Sequence, residues 1–153
     1  MMLNFSQTSV DIDGVQTDIL VQPFADRIFV LITQVGKVGN LIQVSMPSTA
    51  PLVASGASDP FDPMDSLPTP PATIQLQSLL GSTSSEHLQT LHSLYAAQTA
   101  TLVWLTEDVG SDRRSIIVGI ALRKFSAATV DELNEQERRM FRGTMRTLMS
   151  MLK

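Results

Sequence analysis

Cysteine is absent from the 153-residue chain, which excludes disulfides, thiolate zinc sites and cysteine nucleophiles together. A chain without cysteine is compatible with a reducing compartment. Long hydrophobic runs are also missing, because the longest one, residues 116–122, is far too short to cross a bilayer. The first residues lack a basic start and an apolar stretch, so no secretory signal peptide is expected. These absences predict a cytoplasmic or nuclear protein with no membrane partner.

An excess of basic charge is lacking as well. The chain has 11 Lys and Arg against 15 Asp and Glu, which gives a formal net charge of −4. Nucleic acids and anionic membranes attract basic surfaces, so neither is an expected partner. Arg138, Arg142 and Arg146 follow one side of a predicted helix whose first half is acidic. We interpret them as a solvated face that complements the helix dipole, with docking on an acidic protein as the alternative.

Proline is concentrated in one segment. Residues 47–72 contain seven of the eight prolines, and serine, aspartate and threonine fill most of the gaps. Proline fixes φ and donates no backbone hydrogen bond, so this segment can neither continue a sheet nor form a stable helix. We predict a single domain over residues 1–153, interrupted by a flexible proline-rich loop at residues 47–72. A loop of this length is either functional or a tolerated insertion.

Short β-strand patterns dominate the rest of the chain. Strands are predicted at residues 17–24, 27–34, 40–46, 73–80, 101–106 and 115–122. Two hairpins are predicted, one around the glycine-containing turn at residues 34–40 and one around the polar turn at residues 107–114. Helices are predicted over residues 85–98 and from a Thr129–Glu132 capping box onward. This order predicts an α+β fold, with an antiparallel β-sheet of about six strands and two helices packed on one face.

Two of the predicted strands are apolar on both faces. Residues 28–32 and 116–122 carry apolar side chains at odd and even positions alike. Two helices can cover one sheet face, and the proline-rich segment is too polar to cover the other. Because monomers rarely leave an apolar surface of that size in water, we predict that the second face is used for dimerisation. The dimer-interface candidates are Phe29, Leu31, Val103, Leu105 and Ile117.

No residues show the spacing of a metal site. His87 and His92 lie about 140° apart around a helix, so they cannot bind one metal together, and both are expected at the surface or its boundary. Asp59, Asp62 and Asp65 recur every three residues, but the glycine and bidentate glutamate of a calcium loop are missing. Solvated loop charge accounts for them. We expect no metal and no cofactor.

Catalytic motifs are also lacking. Gly36 and Lys37 suggest a phosphate-binding loop, but Val38 follows where that motif requires Ser or Thr, and a strand follows where it requires a helix. Gly36 or Gly39 is instead expected to supply the positive φ of a turn. No serine or threonine has a recognisable histidine partner. We therefore predict no catalytic residues and no enzymatic activity.

The turn at residues 34–40 resembles the signature of one family. Residues 33–41 read TQVGKVGNL, which is similar to the TQxGKxGxL core of the proteasome assembly chaperone 3 family. The Gly-Val-Gln-Thr at residues 14–17 and the Leu-Leu-Gly at residues 79–81 follow that family's order. The resemblance covers most of the chain outside the proline-rich loop, which departs from the family pattern.

The resemblance implies a non-catalytic chaperone for 20S proteasome assembly. Such a protein pairs with a related chaperone of the chaperone 4 type, or with itself, and promotes alpha-ring formation by binding alpha-type subunits. It is released as beta subunits join. Gln34, Lys37, Val38 and Asn40 become candidates for alpha-subunit contact, with turn geometry alone as the alternative. The alternative function is a small dimeric α+β scaffold or trafficking adaptor.

Overall fold

The structure is a computed structural model that describes residues 5–34, 36, 39–47, 70–81, 86–106, 114–122 and 135–152. These residues form six strands and two helices: β1 (Ser6–Ile12), β2 (Val15–Pro23), β3 (Arg27–Thr33), β4 (Asn40–Ser45), β5 (Gln75–Leu80), α1 (Glu86–Thr106), β6 (Ser115–Ala121) and α2 (Glu135–Leu152). Most of the predicted proline-rich loop, the turn at residues 107–113 and the Thr129–Glu132 capping box lie outside the described residues.

The strands form one mixed sheet in the order β1-β2-β3-β6-β4-β5. Every neighbouring pair is antiparallel except β3 and β6, which run parallel. The predicted α+β class with six strands and two helices is confirmed. The prediction of a wholly antiparallel sheet is wrong, however, because β6 runs parallel to β3.

The predicted hairpin between residues 27–34 and 40–46 is wrong. β6 lies between β3 and β4 and pairs with both of them. Adjacent strands are about 4.8 Å apart, so the turn after β3 has to span about 10 Å. The backbone N–H of Gln34 donates to the carbonyl of Ala121 at 2.8 Å, which fixes the start of this turn at the end of β6.

Residues 101–106 form the end of α1 and not a strand, so the second predicted hairpin is wrong as well. Their β-branched and aromatic side chains favour a strand, but the segment from Gln98 to Trp104 is buried on all sides. A helix buried all round shows no 3.6-residue period. The Thr101 hydroxyl donates to the carbonyl of Ala97 at 2.8 Å, a bond typical of a helix interior.

The sequence patterns also do not reveal β1. Only Val10 and Ile12 are apolar in this strand, so it shows little alternation. It is joined to β2 by Asp13 and Gly14, whose φ angles are 53° and 83°. Positive φ at both central residues is typical of the tight turn between antiparallel strands, and an Asp-Gly pair favours it. That dipeptide was the available signal for a hairpin here.

Both helices pack on the same face of the sheet. The side chains that point to this face from the two central strands are 0 % exposed: Ile28, Val30, Ile32, Ile116, Val118 and Ile120. They form one cluster with Tyr95 and Val103 of α1 and with Met145 of α2. Neither of the two described helices is long and apolar enough to cross a membrane.

Candidate partner-binding surface

The sheet face that carries neither α1 nor α2, called here the open face, has an apolar centre. The register places Phe29 beside Ile117 and Leu31 beside Gly119. Leu20 lies opposite Leu31 on one side, which widens the apolar centre onto β2. On the other side Gly119 pairs with Leu41 of β4. The centre of the open face consists of Leu20, Phe29, Leu31, Leu41, Ile117, Gly119 and Ala121.

Polar side chains flank most of this centre, whereas Leu80 of β5 extends it beyond Leu41. Gln22 flanks Phe29 on β2, and Gln43 flanks Ile117 on β4. Farther out, Gln77 of β5 continues the same row as the cross-strand partner of Gln43. An apolar centre with a polar rim and few charges has the composition of a protein–protein interface. The open face is therefore the candidate partner-binding surface.

Three of the five predicted interface residues lie on the open face. Phe29 and Leu31 are half-buried, whereas Ile117 is only 7 % exposed and contributes little contact area. Val103 and Leu105 do not belong to this face, because they lie on α1. Val103 is 0 % exposed inside the helix–sheet core, and Leu105 is half-buried at the end of the helix.

Two leucines of the open face, Leu20 and Leu41, were not among the predicted interface residues. Leu20 alternates with Ile19 and Val21, so it shares its face with the polar Asp18 and Gln22. A single leucine among polar neighbours does not indicate an apolar surface. The cross-strand register that places Leu20 opposite Leu31 is needed to recognise it.

The predicted contact residues of the turn have different positions. Gln34 is 9 % exposed at the end of β3, and Asn40 is half-buried at the start of β4. The Asn40 amide nitrogen lies 2.9 Å from Nδ1 of His92 on α1. This hydrogen bond ties the end of the turn to the helix layer. Lys37 and Val38 lie outside the described residues.

Both glycines of the turn have positive φ, as expected: +75° at Gly36 and +68° at Gly39. They differ in their surroundings. A Cβ atom on Gly39 would lie 2.5 Å from the Ile120 carbonyl oxygen and 2.7 Å from the Ala121 Cβ, whereas one on Gly36 would meet nothing within 4 Å. The backbone therefore needs glycine at Gly39 to pass closely over the end of β6.

His92 is buried, at 4 % exposure, so the expectation of a surface or boundary position is wrong for this residue. Burial lowers the pKa of His92 to about 4, which keeps the ring neutral near pH 7. Because the Asn40 amide donates to Nδ1, the proton of the neutral ring lies on Nε2. His92 therefore connects α1 to the start of β4 through its hydrogen bond with Asn40, and its ring is uncharged near pH 7.

His87 has a boundary position, as expected, and connects the two helices. Its Nε2 lies 2.8 Å from Oε2 of Glu137 on α2, and their side chains are 17 % and 5 % exposed.

The part of the chain that the structure describes contains no group of three His, Cys, Asp or Glu side chains able to hold a metal.

The fold defines a class of small α+β proteins in which a six-stranded mixed sheet carries two helices on one face. The crystal structure of a novel chaperone complex for yeast 20S proteasome assembly has a similar fold, with a TM-score of 0.50 and 14 % identity over all of both chains. The family model of proteasome assembly chaperone 3 matches residues 30–139. The chain belongs to the proteasome assembly chaperone 3 family, as its turn sequence predicted.

A curated relative supports this assignment. Proteasome assembly chaperone 3 of Nematostella vectensis is 44 % identical over 55 residues, which are 35 % of this chain and 41 % of that protein. The matching region thus spans less than half the length of that relative.

Proposed function

We propose that the protein is a non-catalytic chaperone of 20S proteasome assembly that works as one member of a chaperone pair. Family membership and the likeness of fold support the assembly role. The observation that supports pairing is the open face, where half-buried Phe29 and Leu31 lie in an apolar centre with polar residues at its rim.

The pairing partner is a related chaperone of the chaperone 4 type, or a second copy of this chain. Two sheets that pack face to face lie about 10 Å apart, with the side chains of both faces interdigitated. Gly119 lies between Leu31 and Leu41 in the strand register. Because it has no side chain, it leaves a depression that a large apolar residue of the partner can fill.

The paired chaperone binds alpha-type subunits and promotes formation of the alpha ring. In this mechanism the pair covers part of the ring surface that a beta subunit later occupies. Release then follows from competition for overlapping surface and requires no nucleotide. The cytoplasm, and the nucleus with it, is the compartment we propose for this activity.

Within the turn, we propose Lys37 and Val38 as the residues that contact an alpha-type subunit. Gln34 and Asn40 are engaged inside the fold, through the end of β6 and through His92. A Lys37→Glu, Val38→Asp double variant should lose alpha-subunit binding but keep its pairing with the partner chaperone. Unchanged capture of alpha subunits by this variant would discard the contact role.

Affinity capture from cells followed by mass spectrometry tests the proposed function. The tagged chain should recover free alpha-type subunits and a related chaperone, but no mature 20S particles. Recovery of neither alpha subunits nor a chaperone would favour the scaffold or trafficking adaptor instead. The variant Leu31→Glu separates pairing from alpha-subunit binding. Its substitution lies in the pairing surface, so it should reduce capture of the partner chaperone more than capture of alpha-type subunits.

A further inference from the structure

The strand β5 forms one edge of the sheet. Among the residues that the structure describes, β5 pairs only with β4, and all six of its own residues are exposed. Edge strands present unpaired backbone N–H and C=O groups, and proteins usually protect them with Lys, Pro or a covering element. The sequence of β5, QLQSLL, contains none of these residues. Its leucines are instead exposed, by 40 % at Leu76, 45 % at Leu79 and 61 % at Leu80.

The other edge of the sheet, β1, has a different character. Its exposed positions carry Gln7, Ser9 and Asp11, so this edge presents a charge and no exposed leucine within the strand. The contrast shows that exposed apolar side chains are a property of β5 and not of both edges.

A cleft of about 300 Å³ lies beside β5, between the strand and the first turns of α1. Leu76 and Ser78 belong to its lining because they pair with Val44 and Ile42, which face the helices. The described residues of the lining include no carboxylate, lysine or arginine: they are Asn40, Ile42, Leu76, Ser78, Gly81, Gln89, His92 and Ser93.

One lining residue, His92, carries a buried hydrogen-bond donor without a partner. Nε2 of His92 is buried and has no hydrogen-bond partner among the residues that the structure describes. The hydrogen bond from Asn40 to Nδ1 puts the ring proton on this nitrogen. A buried donor without a partner costs free energy, but this nitrogen has almost no accessible surface, so it belongs to the core beside the cleft and is not a contact for a bound segment.

We propose that β5 and this cleft bind an extended, uncharged segment of another protein, which joins the sheet as an additional strand. The free backbone groups of β5 select an extended chain, since only a strand satisfies them in register. Leu76, which lies on the cleft side of the strand and is 40 % exposed, selects an apolar side chain beside it. Because the described lining of the cleft carries no carboxylate, lysine or arginine, it selects against charged side chains there. The proposal does not rest on the proposed function, because the cleft lies on the helix-facing side of β5, where Leu76 and Ser78 pair with Val44 and Ile42, and not on the open face.

Hydrogen exchange with a defined probe tests this proposal. The probe is a capped six-residue peptide of alternating valine and threonine, added to the full chain at up to about 1 mM, the range of weak peptide binding. The amides of Gln75–Leu80 should gain protection in its presence, and those of β1 should not. Protection of β5 that is already complete without the peptide would overturn the proposal, because the chain itself would then cover the edge.

Matched variants separate β5 from the other edge of the sheet. Leu76→Lys places a charge beside the cleft and should weaken peptide binding roughly tenfold or more. Gln7→Lys places the same charge on the other edge strand, β1, and it should bind the peptide as the native chain does. Equal affinity of the two variants would contradict the proposal.

A third variant approaches the cleft from the helix. Gln89 is exposed and lines the cleft, so Gln89→Trp should obstruct it without touching β5, whereas Thr90→Trp, one residue along, should not. Loss of peptide protection in Gln89→Trp alone supports the proposal. Protection that depends on protein concentration and not on peptide would instead identify a second copy as the occupant, which would also overturn it.

Discussion

At the scale of single residues, Gly39 tolerates less change than Gly36, the other glycine of the turn. Gly39→Ala combines a positive φ with contacts of 2.5 Å to the Ile120 carbonyl oxygen and 2.7 Å to the Ala121 Cβ. We expect the free energy of unfolding to fall by at least about 2 kcal/mol. Gly36→Ala has a similar φ in open space and should cost about 1 kcal/mol. Urea denaturation of both variants measures the difference, and equal losses would refute the close approach over β6.

His92 should make the stability of the protein depend on pH. In the unfolded chain its pKa is 6.5, whereas burial lowers the pKa of His92 to about 4 in the fold. Between these values the unfolded chain binds a proton that the folded chain does not, so stability falls as pH falls from about 6.5 to about 4. We expect a loss of about 2 kcal/mol, less than the full shift would give because solvent in the adjacent cleft screens the charge.

The variant His92→Gln isolates this effect, because its amide oxygen can still accept the hydrogen bond from Asn40. Urea denaturation at pH 7 and pH 4.5 should show a smaller acid-induced loss in the variant than in the native chain. Identical losses in the two proteins would mean that other groups cause the acid sensitivity.

At the scale of elements, the end of α1 is the clearest test of the fold. Val103 is 0 % exposed between the helix and the sheet, so Val103→Ala should lower the free energy of unfolding by about 2 kcal/mol. Leu105 is half-buried at the helix end, and Leu105→Ala should cost less than about 1 kcal/mol. Thermal and urea denaturation provide the measurement. A Val103→Ala variant that keeps its stability but pairs more weakly would instead show that Val103 belongs to the dimer interface, as predicted from the sequence.

Individual strands could be predicted from the sequence, but their arrangement could not. β2 to β6 show local alternation or continuous apolar runs, and these depend only on neighbouring residues. The position of β6 between β3 and β4 depends on contacts across more than 70 residues, and no local pattern records them. The end of α1 was assigned to a strand because Val103 and Trp104 favour strands in isolation, and burial overrides that preference.

At the scale of the whole molecule, the division of the sheet into a covered face and an open face is the basis of the proposed function. The odd and even positions of residues 28–32 were enough to predict that both faces are apolar. They could not show which face carries the helices, since Ile28 and Phe29 are equally apolar. The structure resolves this, because Ile28 is fully buried under the helices whereas Phe29 is half-buried on the open face.

The central claim is that the open face pairs with another chaperone, and sedimentation velocity at micromolar concentration tests it most directly. The native chain should sediment with twice its own mass, or as a heterodimer when co-expressed with a chaperone of the chaperone 4 type. Leu31→Glu should sediment as a single chain while keeping its native circular dichroism, because a charge at the centre of the face cannot be buried in the pair. Gln77→Glu, on the rim of the same face, should still pair. A native chain that stays single both alone and with the partner would contradict the account.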